Sequence, residues 1–176
     1  MKRKMKKANW IHVAAIVCVL LPMGAWAQNP HIDLSVTGSG DSAKIRFLNS
    51  ACPQEPGNHG CVELGRGMQN HVSWELDQTS WQAGWRLTAL FFSPDGSHWG
   101  ENGYPLDDCT MKDFGLPESD RYTGQASTAE VRAMGKRMRI WDNNKNVCDT
   151  WYRIFATNLN GDRADSDPII RNRGEN

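Results

Sequence analysis

An all-β fold of two packed sheets is what the chain predicts, on three observations. Apolar and polar residues alternate at period two through most of the sequence, and clusters of Gly, Pro, Asn and Asp punctuate these runs. No internal repeat, heptad or long amphipathic helix pattern interrupts them.

The elements follow in order. His31 to Thr37 alternates, with Ile32, Leu34 and Val36 on one face, and Lys44 to Leu48 places Ile45 and Phe47 together. The turn sequence Gly38-Ser39-Gly40-Asp41 between them predicts a hairpin. Residues 49–69 read as a loop. Val72, Trp74 and Leu76 then alternate with Ser73, Glu75 and Asp77 as a strand. Residues 85–92 form the strongest strand, apolar on both faces near Leu90-Phe91-Phe92, which predicts a central position covered on both sides. Ser93-Pro94-Asp95-Gly96 is a turn, since Pro presets φ and Gly permits positive φ.

Residues 100–119 read as a long irregular connection. Short strands are expected over 121–128 and over 134–141, the latter with Met134, Met138 and Ile140 on one parity. Asp142 to Asn146 is a polar turn. Residues 150–158 are a strand, with Tyr152, Ile154 and Ala156 facing one way and Trp151, Arg153 and Phe155 the other. Asn160-Gly161 signals a hairpin, and residues 167–172 close the fold, with Pro168 at a strand start or edge. About seven or eight short strands at this spacing match an antiparallel immunoglobulin-like, Greek-key β-sandwich with disulfide-tied loops. A closed barrel is the alternative.

Residues 1–27 read as a signal peptide. A basic stretch, Met1 to Lys7, precedes an apolar run from Ile11 to Leu21, and Ala25-Trp26-Ala27 is a small-x-small cleavage site. The run is shorter than the ~20 residues of a membrane-spanning helix. Lipidation at Cys18 is disfavoured because Val17, not a small residue, precedes it. Residues 28–176 are then a single exported domain, periplasmic or secreted, with no membrane span. The formal net charge of the whole chain is zero, but five of its 20 basic residues lie in the first seven positions. The remaining 149 residues carry 15 basic and 20 acidic side chains, a net charge of −5, which excludes a nucleic-acid-binding module.

Cys52, Cys61, Cys109 and Cys148 form an even set in an oxidising compartment, so two disulfides are expected. Of three possible connectivities, Cys52–Cys61 and Cys109–Cys148 are preferred: the first closes a short loop rich in Pro and Gly, the second ties a long loop to a strand end. The chain has no Cys-x-x-Cys, so neither a redox motif nor a zinc knuckle is expected.

The segments Ile140-Trp141-Asp142-Asn143-Asn144, Tyr152-Arg153-Ile154-Phe155-Ala156 and Asp167-Pro168-Ile169-Ile170-Arg171-Asn172 together resemble the C-terminal part of small bacterial DP-EP family proteins. The resemblance implies a β-sandwich without an assigned reaction, and it implies no catalytic residues.

No metal or cofactor is expected. His31, His59, His71 and His98 have no metal-ligand spacing, although His59 and His71 flank one loop and could meet. Asp142, Asn144 and Asn146 begin like a calcium loop, but Val147 and Arg153 stand where Gly and Glu are needed. There is no Gly-x-Ser-x-Gly elbow, and the adjacent Asp107 and Asp108 make a poor acid/base pair. Arg132, Lys136, Arg137 and Arg139 form a basic cluster, read as a solvated strand face or a receiver for an acidic partner.

The unusual feature is tryptophan. Of the six after position 27, Trp74, Trp85 and Trp151 are expected in the core. Trp81, Trp99 and Tyr104 lie in loop-like sequence beside polar neighbours and are the candidate ligand-binding residues, because indoles stack on sugars and anchor interfaces. These readings predict a non-enzymatic binding module whose partner is an envelope protein or glycan. A structural or self-assembling protein and a carboxylate-dependent hydrolase are the alternatives.

Overall fold

The computed structural model describes residues 29–65, 67, 69–99, 104–166 and 168–173, so the expected signal peptide lies outside the described residues. The elements are β1 (His31–Thr37), β2 (Lys44–Phe47), β3 (Val62–Leu64), β4 (Asn70–Leu76), α1 (Gln78–Gln82), β5 (Arg86–Ser93), α2 (Asp108–Asp113), β6 (Glu130–Arg132), β7 (Arg137–Asp142), β8 (Val147–Thr157), β9 (Arg163–Ser166) and β10 (Ile169–Arg173). One sheet has the order β2-β1-β4-β7-β6. The other runs β3-β10-β8-β5, with β9 also paired to β8. Among the described residues no helix is long and apolar enough to cross a membrane.

The protein is thus mostly β, in two sheets, and several expectations need correction. The sheets are mixed rather than antiparallel, because β1 pairs parallel with β4 and β3 parallel with β10. The additional strands are β3, β6 and β9, only three or four residues each, too short for alternation to register. The strand expected over 134–141 starts only at Arg137, because residues 133–135 form a left-handed turn. β5 is not a doubly covered central strand; it ends the ladder of its sheet. Its apolar outer residue Phe91 packs edge-on against Phe155, 5.4 Å away. No strand forms over 121–128, but Phe92 N–H donates to Gly124 O and Ala126 N–H to Leu90 O, so this segment shields the β5 edge. The connection over 100–119 contains a one-turn helix, α2. Asp77 and Asp107 cap α1 and α2, each accepting from the backbone N–H three residues on at 2.7 Å.

The expected β1–β2 hairpin is present, with Leu34 opposite Phe47. The parity read for β8 also holds: Tyr152, Ile154 and Ala156 are fully buried, while Trp151, Arg153 and Phe155 face outward and are half-buried. Buried side chains from both sheets merge into one core, joined by Leu106, Met111 and Phe114 from the α2 region. At its centre the Trp74 indole N–H donates to the Tyr152 hydroxyl at 2.9 Å, and that hydroxyl donates to Gly60 O at 2.7 Å. This chain of bonds ties β4, β8 and the Cys52–Cys61 loop together. Burial holds the Tyr152 phenol well above its ordinary pKa, so it remains a donor.

Three consecutive residues, Ala133, Met134 and Gly135, have positive φ. For Ala and Met that conformation costs about 1–2 kcal/mol each, against about 0.5–1 kcal/mol of extra chain entropy lost by a glycine. Met134 is also 84% exposed, so its side chain contributes little packing. Met134→Gly is therefore expected to raise stability by about 0.5 kcal/mol, seen as a higher urea midpoint with an unchanged slope. Met134→Ala, which keeps the strain, should show no gain.

Candidate functional site

The outer face of the β8–β10 sheet carries a concave site. A cavity of about 410 Å³ opens there, where β8, β10 and the Cys52–Cys61 loop meet. Its apolar wall is Trp151, Phe47, Pro168 and Ile169, and its polar groups are Asn58, His59, Asp149, Ser166 and Arg171. Register explains the grouping. Asp149 stands opposite Arg171 and Trp151 opposite Ile169 on the paired strands β8 and β10, so all four belong to neighbouring columns.

Each wall is held from behind. The Cys52–Cys61 disulfide forms, as expected, and packs with Ile169 and Trp151 as a small apolar cluster. The Tyr152 hydroxyl fixes Gly60, and His59 Nδ1 lies 3.0 Å from Phe47 O. Gly60 has φ +86°, and a Cβ there would come within 2.7 Å of the Phe47 ring. Arg171 is bonded by the Glu55 carboxylate, which raises its already high pKa, and Glu55 also accepts from Asn58 Nδ2 at 2.9 Å. The turn after β5 presses Gly96 onto the Trp151 ring, where an added Cβ would lie 2.7 Å from the indole.

Trp99 lies on the same face, packed against Arg153, two residues along β8 from Trp151. The Arg153 guanidinium sits 4.6 Å from its ring centroid and pairs with Asp165 at 3.3 Å. Tyr104 stacks on His98 with centroids 3.5 Å apart. The chain neighbours His98 and Trp99 therefore bring Tyr104 and Trp99 to one end of β5. Trp81 is not with them: on α1, it packs 3.4 Å below the Arg86 guanidinium at the start of β5. Arg86 pairs with Thr157, while Arg153 pairs with Phe91. Along β8 the two arginine–tryptophan pairs are four residues apart, ~13 Å.

Trp74 and Trp85 are core residues as expected, but Trp151 is a wall of the cavity. Asp149, Arg171 and Asn58 went unread as site residues, and His59 was weighed only as a metal ligand beside His71. The parity of β8 was the one signal that pointed to Trp151.

The catalytic alternatives find little geometry. Asp107 caps α2. Asp108 pairs with Arg121 at 2.9 Å, whose hydrogen bond holds the carboxyl below its ordinary pKa. Asp95 and Ser97 both meet His98 at Nδ1, at 2.6 and 3.0 Å, whereas a serine triad uses the two ring nitrogens separately. His59 and His71 do not meet, since His71 packs edge-on against Trp141, 4.8 Å away, on the opposite sheet. The basic cluster is internally paired: Glu75 holds Lys136 and Arg137, and Glu130 holds Arg132 and Arg139. Burial opposes ionisation of Glu75, but the hydrogen bonds from Lys136 and Arg137 outweigh it and lower its pKa.

No protein-family model matches the chain, and a comparison with curated proteins finds no match. Among solved structures, the chain is similar to the bradyzoite-specific antigen BSR4 of Toxoplasma gondii, at 13% sequence identity and a TM-score of 0.36. The alignment covers 78% of this chain and 50% of the antigen, so the chain spans about half the length of that protein.

Proposed function

We propose that this chain is an exported, non-enzymatic binding module of immunoglobulin-like type, related to DP-EP proteins, that engages an envelope protein or glycan on the outer face of its β8–β10 sheet. The observation that carries the reading is the cavity at Trp151, where an indole and convergent polar side chains line one concave surface. The two disulfides fit an oxidising compartment, the periplasm or the exterior. Self-assembly through the β6 edge is less favoured, because β6 is three residues long and flanks Val131 with Glu130 and Arg132.

A photocrosslinking residue placed at His59, on the cavity rim, tests this in the producing cell, with Tyr122 as an exposed control position. An adduct formed from position 59 and not from 122 is the expected result. Equal or no adduct from position 59 overturns the reading.

A further inference from the structure

We infer that the cavity takes an uncharged sugar ring, and that the ligand is a neutral glycan rather than a protein. This inference rests on the cavity being the binding site proposed above. A sugar hydroxyl donates and accepts at once, so its site needs both kinds of group at close quarters. The cavity supplies them: Asp149 only accepts, Arg171 only donates, and Asn58, His59 and Ser166 can do both. The other half of a pyranose is its C–H face, and Trp151 with Phe47 supplies apolar lining beside these groups.

Charge selects the class further. Asp149 and Arg171 cancel across the β8–β10 pair. The carboxylates of Glu55, Asp149 and Glu63 all act electrostatically on the Arg171 guanidinium, and Glu55 already bonds it. A sulfated or uronic-acid polymer therefore meets carboxylates around the Arg171 guanidinium. Size points the same way. About 410 Å³ sits at the low end of the ~300–1,000 Å³ of small-ligand sites. A stable protein partner needs ~800 Å² of matched surface on each side.

The full exported protein is titrated with neutral trisaccharides (maltotriose, cellotriose and chitotriose), followed by indole fluorescence and calorimetry, with heparin as the anionic counter-probe. The expected result is saturable binding of at least one neutral trisaccharide at millimolar or lower concentration, and none of heparin. Asp149→Asn and Arg171→Lys, each checked by near-ultraviolet circular dichroism for an intact core, should each weaken it at least tenfold. Absence of trisaccharide binding, preference for heparin, or binding unchanged in both variants overturns the inference. Should position 59 still crosslink to a protein in the cell, the cavity remains a binding site and only its sugar assignment falls. Loss of both results removes both readings.

Discussion

Trp74→Ala should cost about 3–5 kcal/mol, a large fraction of the stability of a typical domain. Trp74 is the largest fully buried side chain among the described residues, so truncation leaves a void between the two sheets. It also takes away the donor to the Tyr152 hydroxyl. Tyr152→Phe separates the two effects, since it keeps the ring that packs 5.1 Å from Trp74 and removes only the oxygen. The Trp74 indole N–H and Gly60 O then lose their shared partner inside the core. The expected cost is about 1–3 kcal/mol. Urea unfolding followed by far-ultraviolet circular dichroism reads both variants. A Tyr152→Phe loss below about 0.5 kcal/mol would mean that the hydroxyl does not join the sheets energetically. Because Gly60 leads directly into the cavity wall at His59, Tyr152→Phe should also blunt ligand binding while the secondary structure stays intact.

Local chemistry made part of this architecture readable. The β1–β2 hairpin and the parity of β8 follow from alternation, and both disulfide pairings follow from loop length and strand position. The error at β5 is instructive. Phe91 looked like a residue facing a second layer, yet it packs sideways on Phe155 along the outer face of its own sheet. Alternation reports burial of a side chain and is silent on whether another sheet, a loop or a neighbouring strand does the burying. The two helices were missed because five or six residues hold no 3.6-residue period. Their caps were visible as Asp77 before Ser80 and Asp107 before Thr110.

The site was legible only in pieces. Trp99 could be singled out by its polar, loop-like surroundings, and it does lie on the face that carries the cavity. The cavity itself joins Asn58, Asp149 and Arg171 from three separated segments. Only the parallel pairing of β3 with β10, and the return of β10 along β8, bring those segments together. A pattern of period two cannot encode a parallel pairing across more than a hundred residues. Trp151 was expected in the core, although its parity on β8, opposite to that of the core residue Tyr152, pointed outward.

Asp113→Ala is the second large loss expected, about 3–5 kcal/mol, and its cause is polar. The Asp113 carboxylate is fully buried and receives Lys145 N–H at 3.2 Å, Asn146 N–H at 3.4 Å and Asn146 Nδ2 at 2.7 Å. Residues 142–146, expected as a polar turn, are thereby folded partly inward: Asp142 and Asn144 are fully buried, and Asn144 Nδ2 donates to Gly65 O at 2.6 Å. The Cys109–Cys148 disulfide fastens the same two segments, α2 and the start of β8, and beside it the buried Thr110 and Thr150 join their hydroxyls at 2.9 Å. Asp113 lies close enough to both sulfurs to suggest a metal site, but the sulfurs are bonded to each other and are not available as ligands. Closing a loop across a separation of 39 residues contributes ~4 kcal/mol by the chain-entropy estimate. Asp113→Asn should cost about half as much as Asp113→Ala, since one oxygen still accepts while the new amide faces a donor. A double-mutant cycle between Asp113→Asn and the paired Cys109→Ser, Cys148→Ser change should show coupling of at least about 0.5 kcal/mol, because both ties hold one contact. Strict additivity would mean that the carboxylate stabilises the turn alone and that α2 docks through the disulfide without it.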